Sequence, residues 1–187
     1  MPRPHLWPFS NYCNKVFILR NLMLYLNVCT LNTATKDMGS LEEAIKQKEF
    51  KDPYNKLVVN LLYTHSYLVS AQNGILKPFD LSPEQYNVLR ILRGQNGVPT
   101  TVSSIQQRML NKMSNASRLI DKLKAKQLLA RNECPNDRRQ VDILITEKGL
   151  QLLNDLQSSM EGFNTQVLNL DEEEVGLMNT LLDKLRG

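Results

Sequence analysis

The chain has 187 residues, 42% of them apolar and 22% charged, with a formal net charge of +4. This is the size of one domain, or of one domain with appended helices, and its apolar content can build a core that needs neither disulfides nor a metal. Three widely spaced cysteines, Cys13, Cys29 and Cys134, give no zinc pattern and no disulfide framework and suit a reducing cytoplasm.

Residues 1–37 differ from the rest: they hold Pro2, Pro4, Pro8, the only tryptophan (Trp7) and two of the three cysteines. The apolar run Phe17–Leu31 is broken by Arg20, Asn21 and Asn27, and is too short and interrupted to span a membrane. No clean small-residue cleavage site follows Leu22–Val28, as a signal peptide would require. Met38-Gly39-Ser40-Leu41 reads as a natural start. Residues 1–37 are therefore expected to be an extension outside the domain, either disordered or the product of an upstream start.

Within Pro53–Ile75, Leu57, Leu61, Thr64, Leu68, Ala71 and Ile75 recur at steps of four and three, which predicts one long helix with Pro53 in its first turn. Ser82-Pro83-Glu84-Gln85 is a helix start with a cap, a first-position proline and a capping box. That helix continues through Tyr86, Val88, Leu89, Ile91 and Leu92 and ends at Gly94–Gly97. Thr100 or Thr101 caps a short helix through Val102, Ile105 and Met109, and Asn111–Met113 is a turn. Ser114 is expected to cap a second helix, Asn115–Lys126, with Ala116, Leu119, Ile120 and Leu123 facing inward. Two short helices joined by a tight turn form a helix-turn-helix pattern.

Leu128–Glu133 and Val141–Ile145 read as strands around a turn-rich basic loop, Cys134–Gln140, which makes a β-hairpin. Thr146–Gly149 opens a helix through Leu150, Leu153, Leu156 and Met160 that Gly162 is expected to interrupt. Asp171 caps a last helix bearing Val175, Met178, Leu181, Leu182 and Leu185, and Glu172–Glu174 suit its positive dipole end. The fold class is mainly α with a small β-hairpin wing.

Charge is unevenly spread. Arg108–Arg139 holds nine basic and three acidic residues (+6), whereas Thr146–Gly187 holds three basic and eight acidic (−5). Such a split suits one surface for a polyanion and another kept away from it, or simply two solvated faces of opposite sign. The DNA major groove, about 12 Å wide, admits one helix whose leading end carries small polar and basic residues. Ser114, Asn115, Ser117 and Arg118 have that character, with Lys122 one turn on. Asn can pair bidentately with adenine and Arg with guanine. The alternative for Ser114 is a plain helix cap, and for Asn115 a solvated first-turn residue. In the hairpin, Arg138 and Arg139 suit the narrow, negative minor groove, and Asp137 can orient a guanidinium. The plain alternative is an exposed ion pair of small worth.

The segments LSPEQYNVLRIL, MSNASRLIDKLKAKQLLAR and CPNDRRQVDILITEKG together resemble the MarR family of bacterial regulators, over about residues 41–187. The Asp-x-Arg of that family's wing falls on Asp137 and Arg139, and TEKG resembles its entry to the dimerisation helix. Gln127 departs from the pattern, since many members have Gly there. The resemblance implies a winged helix-turn-helix over residues 81–149, between N-terminal dimerisation helices (residues 38–80) and C-terminal ones (residues 150–187). It implies a homodimer that binds a pseudo-palindrome in double-stranded DNA, usually as a repressor. It also implies a small aromatic or phenolic effector; helix placement would put its pocket near Tyr63, His65, Tyr67 and Tyr86.

Other function classes find less support in the residues. His5 and His65 are the only histidines, and no phosphate loop, nucleophile motif, metal cluster or cofactor motif appears, so no enzyme, metal or cofactor is expected. Cys134, at the wing base, would serve a redox-responsive regulator, although the first dimerisation helix has no cysteine. A winged helix used only for protein contacts is the remaining alternative. Neither membrane insertion nor a location outside the cytoplasm is expected.

Overall fold

A computed structural model describes residues 39–134, 137–166 and 170–187. The extension expected at residues 1–37 lies outside the described residues. Gly39–Met160 form one compact unit, and the described residues from Glu161 onward belong to a second.

In the first unit, α1 (Leu41–Ile45) is a single turn that Ser40 and Glu43 close with a capping box. The Lys56 ammonium lies 2.6 Å from Glu42 and holds that carboxyl below its usual range. The long helix α2 is Pro53–Leu76, with both carboxylate oxygens of Asp52 accepting from the Tyr54 and Asn55 amides. Its apolar face is buried only at the far end, at Ala71, Ile75 and Leu76, while Leu57, Val58 and Leu62 near the start stay exposed. A 3-10 turn (Lys77–Phe79) follows, and Asp80 leaves it in the left-handed region (φ 53°).

Helix α3 (Pro83–Arg93) starts with the expected Ser82–Gln85 capping box and buries Tyr86, Val88, Leu89, Ile91 and Leu92. Thr101 caps α4 (Val102–Arg108), and α5 (Ala116–Ala125) follows after the turn. The hairpin pairs β1 (Leu129–Cys134) antiparallel to β2 (Asp137–Ile145), in register from Leu129 opposite Ile145 to Glu133 opposite Val141. Thr100 bridges Ile143 from the other side through two backbone hydrogen bonds of 3.1 and 2.9 Å. Leu76, Val88, Leu89, Ile105, Met109, Ile120, Leu123, Ile143, Leu153 and Leu156 are almost fully buried and form the core around which α3, α4, α5 and the hairpin are set.

Helix α6 runs Glu147–Gln166 without a break, so the interruption expected at Gly162 does not occur. A methyl at Gly162 would meet nothing within 4 Å, so this glycine lowers helix propensity without ending the helix. In the second unit, α7 (Glu172–Arg186) opens with a capping box between Asp171 and Glu174. It buries no residue, and Leu177, Met178, Leu181 and Leu185 are each more than half exposed.

Candidate nucleic-acid interface

The helix-turn-helix is α4, the turn at residues 109–115, and α5. Three side-chain amides from outside α5 fix the turn. Asn87 accepts from the Leu110 amide at 3.0 Å, and Asn111 accepts from the Met113 amide at 3.0 Å. Gln106 spans the corner: its NH2 donates to the Lys112 carbonyl at 2.9 Å and its oxygen accepts from the Ala116 amide at 3.0 Å. Ala116 is the first residue of α5, so one glutamine satisfies a donor that helix geometry leaves orphaned and ties α4 to α5.

The cap of α5 is Asn115 and not Ser114, which corrects the sequence expectation. Asn115 is extended (φ −82°, ψ 96°) and its side-chain oxygen accepts from the Arg118 amide at 3.0 Å. The Ser114 amide instead donates to the Asn111 carbonyl at 3.2 Å, which places Ser114 in the turn. Capping leaves the Asn115 NH2 and a second lone pair available.

Ala116, Ile120 and Leu123 of α5 are buried and Leu119 is half-buried. The opposite face exposes Asn115, Ser117, Arg118 and Lys122, and Ser114 is half-buried. Among the described residues no ion pair or side-chain hydrogen bond occupies Arg118 or Lys122. Asp121, the one carboxylate on α5, pairs with Arg131 of β1 at 2.8 Å and is thereby offset.

The far end of α5 is closed by paired backbone bonds, Leu128 to the Leu123 carbonyl (3.0 Å) and Gln127 to the Lys124 carbonyl (2.8 Å), with Gln127 left-handed at φ 62°. This is the helix ending that ordinarily selects Gly, which is why Gln127 stood out in the sequence. The TEKG segment docks on this ending. The Thr146 hydroxyl donates to the Gln127 carbonyl (2.8 Å) and accepts from the Gly149 amide (3.2 Å). The Lys148 ammonium donates to the Lys126 carbonyl (2.9 Å). A methyl on Gly149 would lie 2.2 Å from the Leu128 carbonyl oxygen, so no side chain fits there. Helix α5 is thus held at both ends by residues outside it.

The wing departs from expectation: Asp137–Gln140 belong to β2, although turn-forming residues made them read as loop. The register slips between Glu133 and Cys134, so that Cys134 opposes Asp137. The side chains of Cys134, Asp137, Arg138 and Arg139 lie outside the described part. Tyr63 and Tyr67 are half-buried on α2, His65 is exposed, and Tyr86 is buried with its hydroxyl accepting from Arg90 at 3.1 Å and the Arg90 guanidinium 5.7 Å from its ring centre. A cleft of about 810 Å³ touches Lys122 but none of these four. Sequence reasoning missed Gln106 and Asn87. Nothing at either position signals the turn they hold, because their partners are 10 and 23 residues away. Among the described residues no His, Cys, Asp and Glu side chains cluster as a metal site, and no helix is long and apolar enough to cross a membrane.

The profile of the MarR family matches residues 81–141. The HTH-type transcriptional regulator MhqR of Bacillus subtilis is 29% identical over 131 residues, covering 70% of this chain and 89% of its own. Among solved structures, Bordetella bronchiseptica BpsR, whose DNA binding is regulated by 6-hydroxynicotinic acid, is 22% identical with a TM-score of 0.62, over 74% of this chain and 96% of its own. A mutant MarR from E. coli complexed with operator DNA is 22% identical with a TM-score of 0.58, over 79% of this chain and 99% of its own.

Proposed function

We propose that this chain, whose residues 81–141 match the MarR family profile and which is similar to the regulator MhqR, is a winged-helix transcription regulator that binds a pseudo-palindromic operator in double-stranded DNA as a homodimer and acts as a ligand-responsive repressor. One observation carries the DNA reading. The α5 face bearing Asn115, Ser117, Arg118 and Lys122 is exposed, its one carboxylate is paired away, and both helix ends are clamped. Arg118 suits the O6 and N7 edge of guanine, Asn115 a base edge, and Lys122 a phosphate. Ser114 in the turn and Asp137, Arg138 and Arg139 on the wing extend that surface. Residues 81–149 form the reading head in this account, between dimerisation helices at residues 38–80 and 150–187. A partner for the homodimer is supported by the unburied apolar side chains of the first half of α2 (Tyr54, Leu57, Val58, Leu62) and of α7 (Leu177, Met178, Leu181, Leu185). Isolated monomers seldom expose such rows, and a second copy buries them symmetrically. The E. coli MarR bound to operator DNA and the BpsR regulated by 6-hydroxynicotinic acid support the DNA partner and a small aromatic or phenolic effector. Tyr63, His65, Tyr67 and Tyr86 remain candidates for that effector when two chains are assembled.

Selecting bound duplexes from a random pool tests this. The expected outcome is an enriched sequence with two half-sites about 10 base pairs apart, one helical turn, bound by two copies of the chain. A pool that emerges without enrichment refutes it.

A further inference from the structure

The two most exposed large apolar side chains among the described residues both lie in the turn before α5: Met113 is 92% exposed and Leu110 87%. They belong to neither of the apolar rows on α2 and α7. The turn that presents them is fixed. Asn87 holds the Leu110 amide, Asn111 the Met113 amide and Gln106 the Lys112 carbonyl, at 3.0, 3.0 and 2.9 Å. The Ser114 amide then closes onto the Asn111 carbonyl at 3.2 Å. Met113 therefore stands in water on a set backbone, two residues before the Asn115 cap and at the end of α5 that bears Ser117 and Arg118. A preset backbone loses little freedom when a partner covers the side chain. The surroundings suit a polyanion as that partner. Arg108, Lys112 and Arg118 are exposed on either side of Met113 in the sequence. No carboxylate occurs between Glu84 and Asp121, and Asp121 is paired with Arg131. An apolar protein surface suits the position less, because protein interfaces are depleted of lysine, and of charge at their centres. On the base edges of the DNA major groove the apolar group is the 5-methyl of thymine, and an unbranched thioether adapts its shape to such a contact.

We infer that Met113 determines specificity in the DNA complex, its side chain lying against the 5-methyl group of one thymine in each half-site, beside the bases that Asn115 and Arg118 address. The inference rests on the DNA reading above. It adds to that reading a residue outside the polar set of α5 and a feature of the base that hydrogen bonds do not read. A thymine without its methyl leaves the end of Met113 in water again and forfeits the burial of one methyl group.

The test uses the full chain and the duplex it selects from a random pool. Thymidines are replaced by deoxyuridine one symmetric pair at a time, which removes the 5-methyl and keeps the base pair. Affinity is read by fluorescence anisotropy at fixed salt. At one thymine position the replacement is expected to weaken binding about three- to fivefold per half-site, the worth of one buried methyl group expressed as an affinity ratio. Met113→Ala should bind the thymine duplex more weakly by at least that factor and should bind the thymine and deoxyuridine duplexes alike. Met113 is exposed, so this substitution leaves the core untouched. Selected half-sites without a methyl-sensitive thymine overturn the role, as does methyl sensitivity that persists in Met113→Ala. A Met113→Ala chain whose oligomeric state by gel filtration differs from that of the original chain overturns it too, because the side chain then serves a protein contact. A chain that selects no duplex sinks the DNA reading itself, whereas an enriched duplex without methyl sensitivity sinks only the role of Met113.

Discussion

Gly149→Ala should destabilise the protein, although alanine is the better helix former. Gly149 lies in the first turn of α6, where it is buried and its amide donates to Thr146. A methyl there would stand 2.2 Å from the Leu128 carbonyl oxygen and 2.8 Å from a side-chain carbon of Ile145. Relief requires α6 to move by about 1 Å from the backbone at the end of the reading helix, since ordinary carbon–oxygen contacts exceed about 3 Å. Overpacking of this kind costs about 1–3 kcal/mol, and the helix propensity gained returns at most about 1 kcal/mol. The net loss is about 1–2 kcal/mol, or a fall in Tm of about 2–8 °C for a chain of this length. Gly162→Ala and Gly176→Ala are internal controls, because a methyl at either position meets nothing within 4 Å. Each should gain about 0.5–1 kcal/mol from helix propensity alone. Urea unfolding followed by circular dichroism measures all three on one scale. An unchanged or raised midpoint for Gly149→Ala would refute the close approach of α6 to Leu128.

Gln127→Gly should stabilise by about 0.5–1 kcal/mol in the same assay, because glycine relieves the left-handed backbone at φ 62°. Gln106→Ala strips the Ala116 amide and the Lys112 carbonyl of their partners, so stability should fall by about 1–3 kcal/mol. Because Gln106 positions the reading helix through other residues, its loss should weaken operator binding while leaving the slope of affinity against salt unchanged; a changed slope would count against that role. Arg118→Ala should lose about 1–3 kcal/mol and relax preference at one base pair of each half-site, whereas Lys122→Ala should weaken all sequences alike and lower the salt slope by about 1 per site. Competition binding against single-base operator variants separates the two outcomes.

Much of this was legible in the sequence because the signals were local. The capping boxes at Ser82 and Asp171 depend on residues three apart, and the buried face Ala116, Ile120 and Leu123 on helical spacing alone. What was not legible depended on distant partners or on near-equal local choices. Ser114 and Asn115 are comparable caps, and Gln106, ten residues back, sets the start of α5 by binding the Ala116 amide. Gly162 looked like a break because glycine is a poor helix former, yet α6 absorbs it. Asp137–Gln140 looked like loop by composition, while the long β-pairing carries the strand back to Asp137. The effector residues rest on helix placement alone, and a cleft among the described residues touches Lys77, Lys122 and Lys126, of which only Lys122 belongs to the expected DNA-contacting set.

The central claim is that the exposed face of α5 reads DNA. Its most direct test is the affinity of the purified chain for its selected duplex as salt rises from about 50 to 200 mM, repeated with Arg118→Ala combined with Lys122→Ala. Several phosphate contacts predict a steep linear fall on logarithmic axes, and the double variant should bind far more weakly with a shallower slope. Binding that is insensitive to salt, or that survives the double substitution unchanged, would contradict the account.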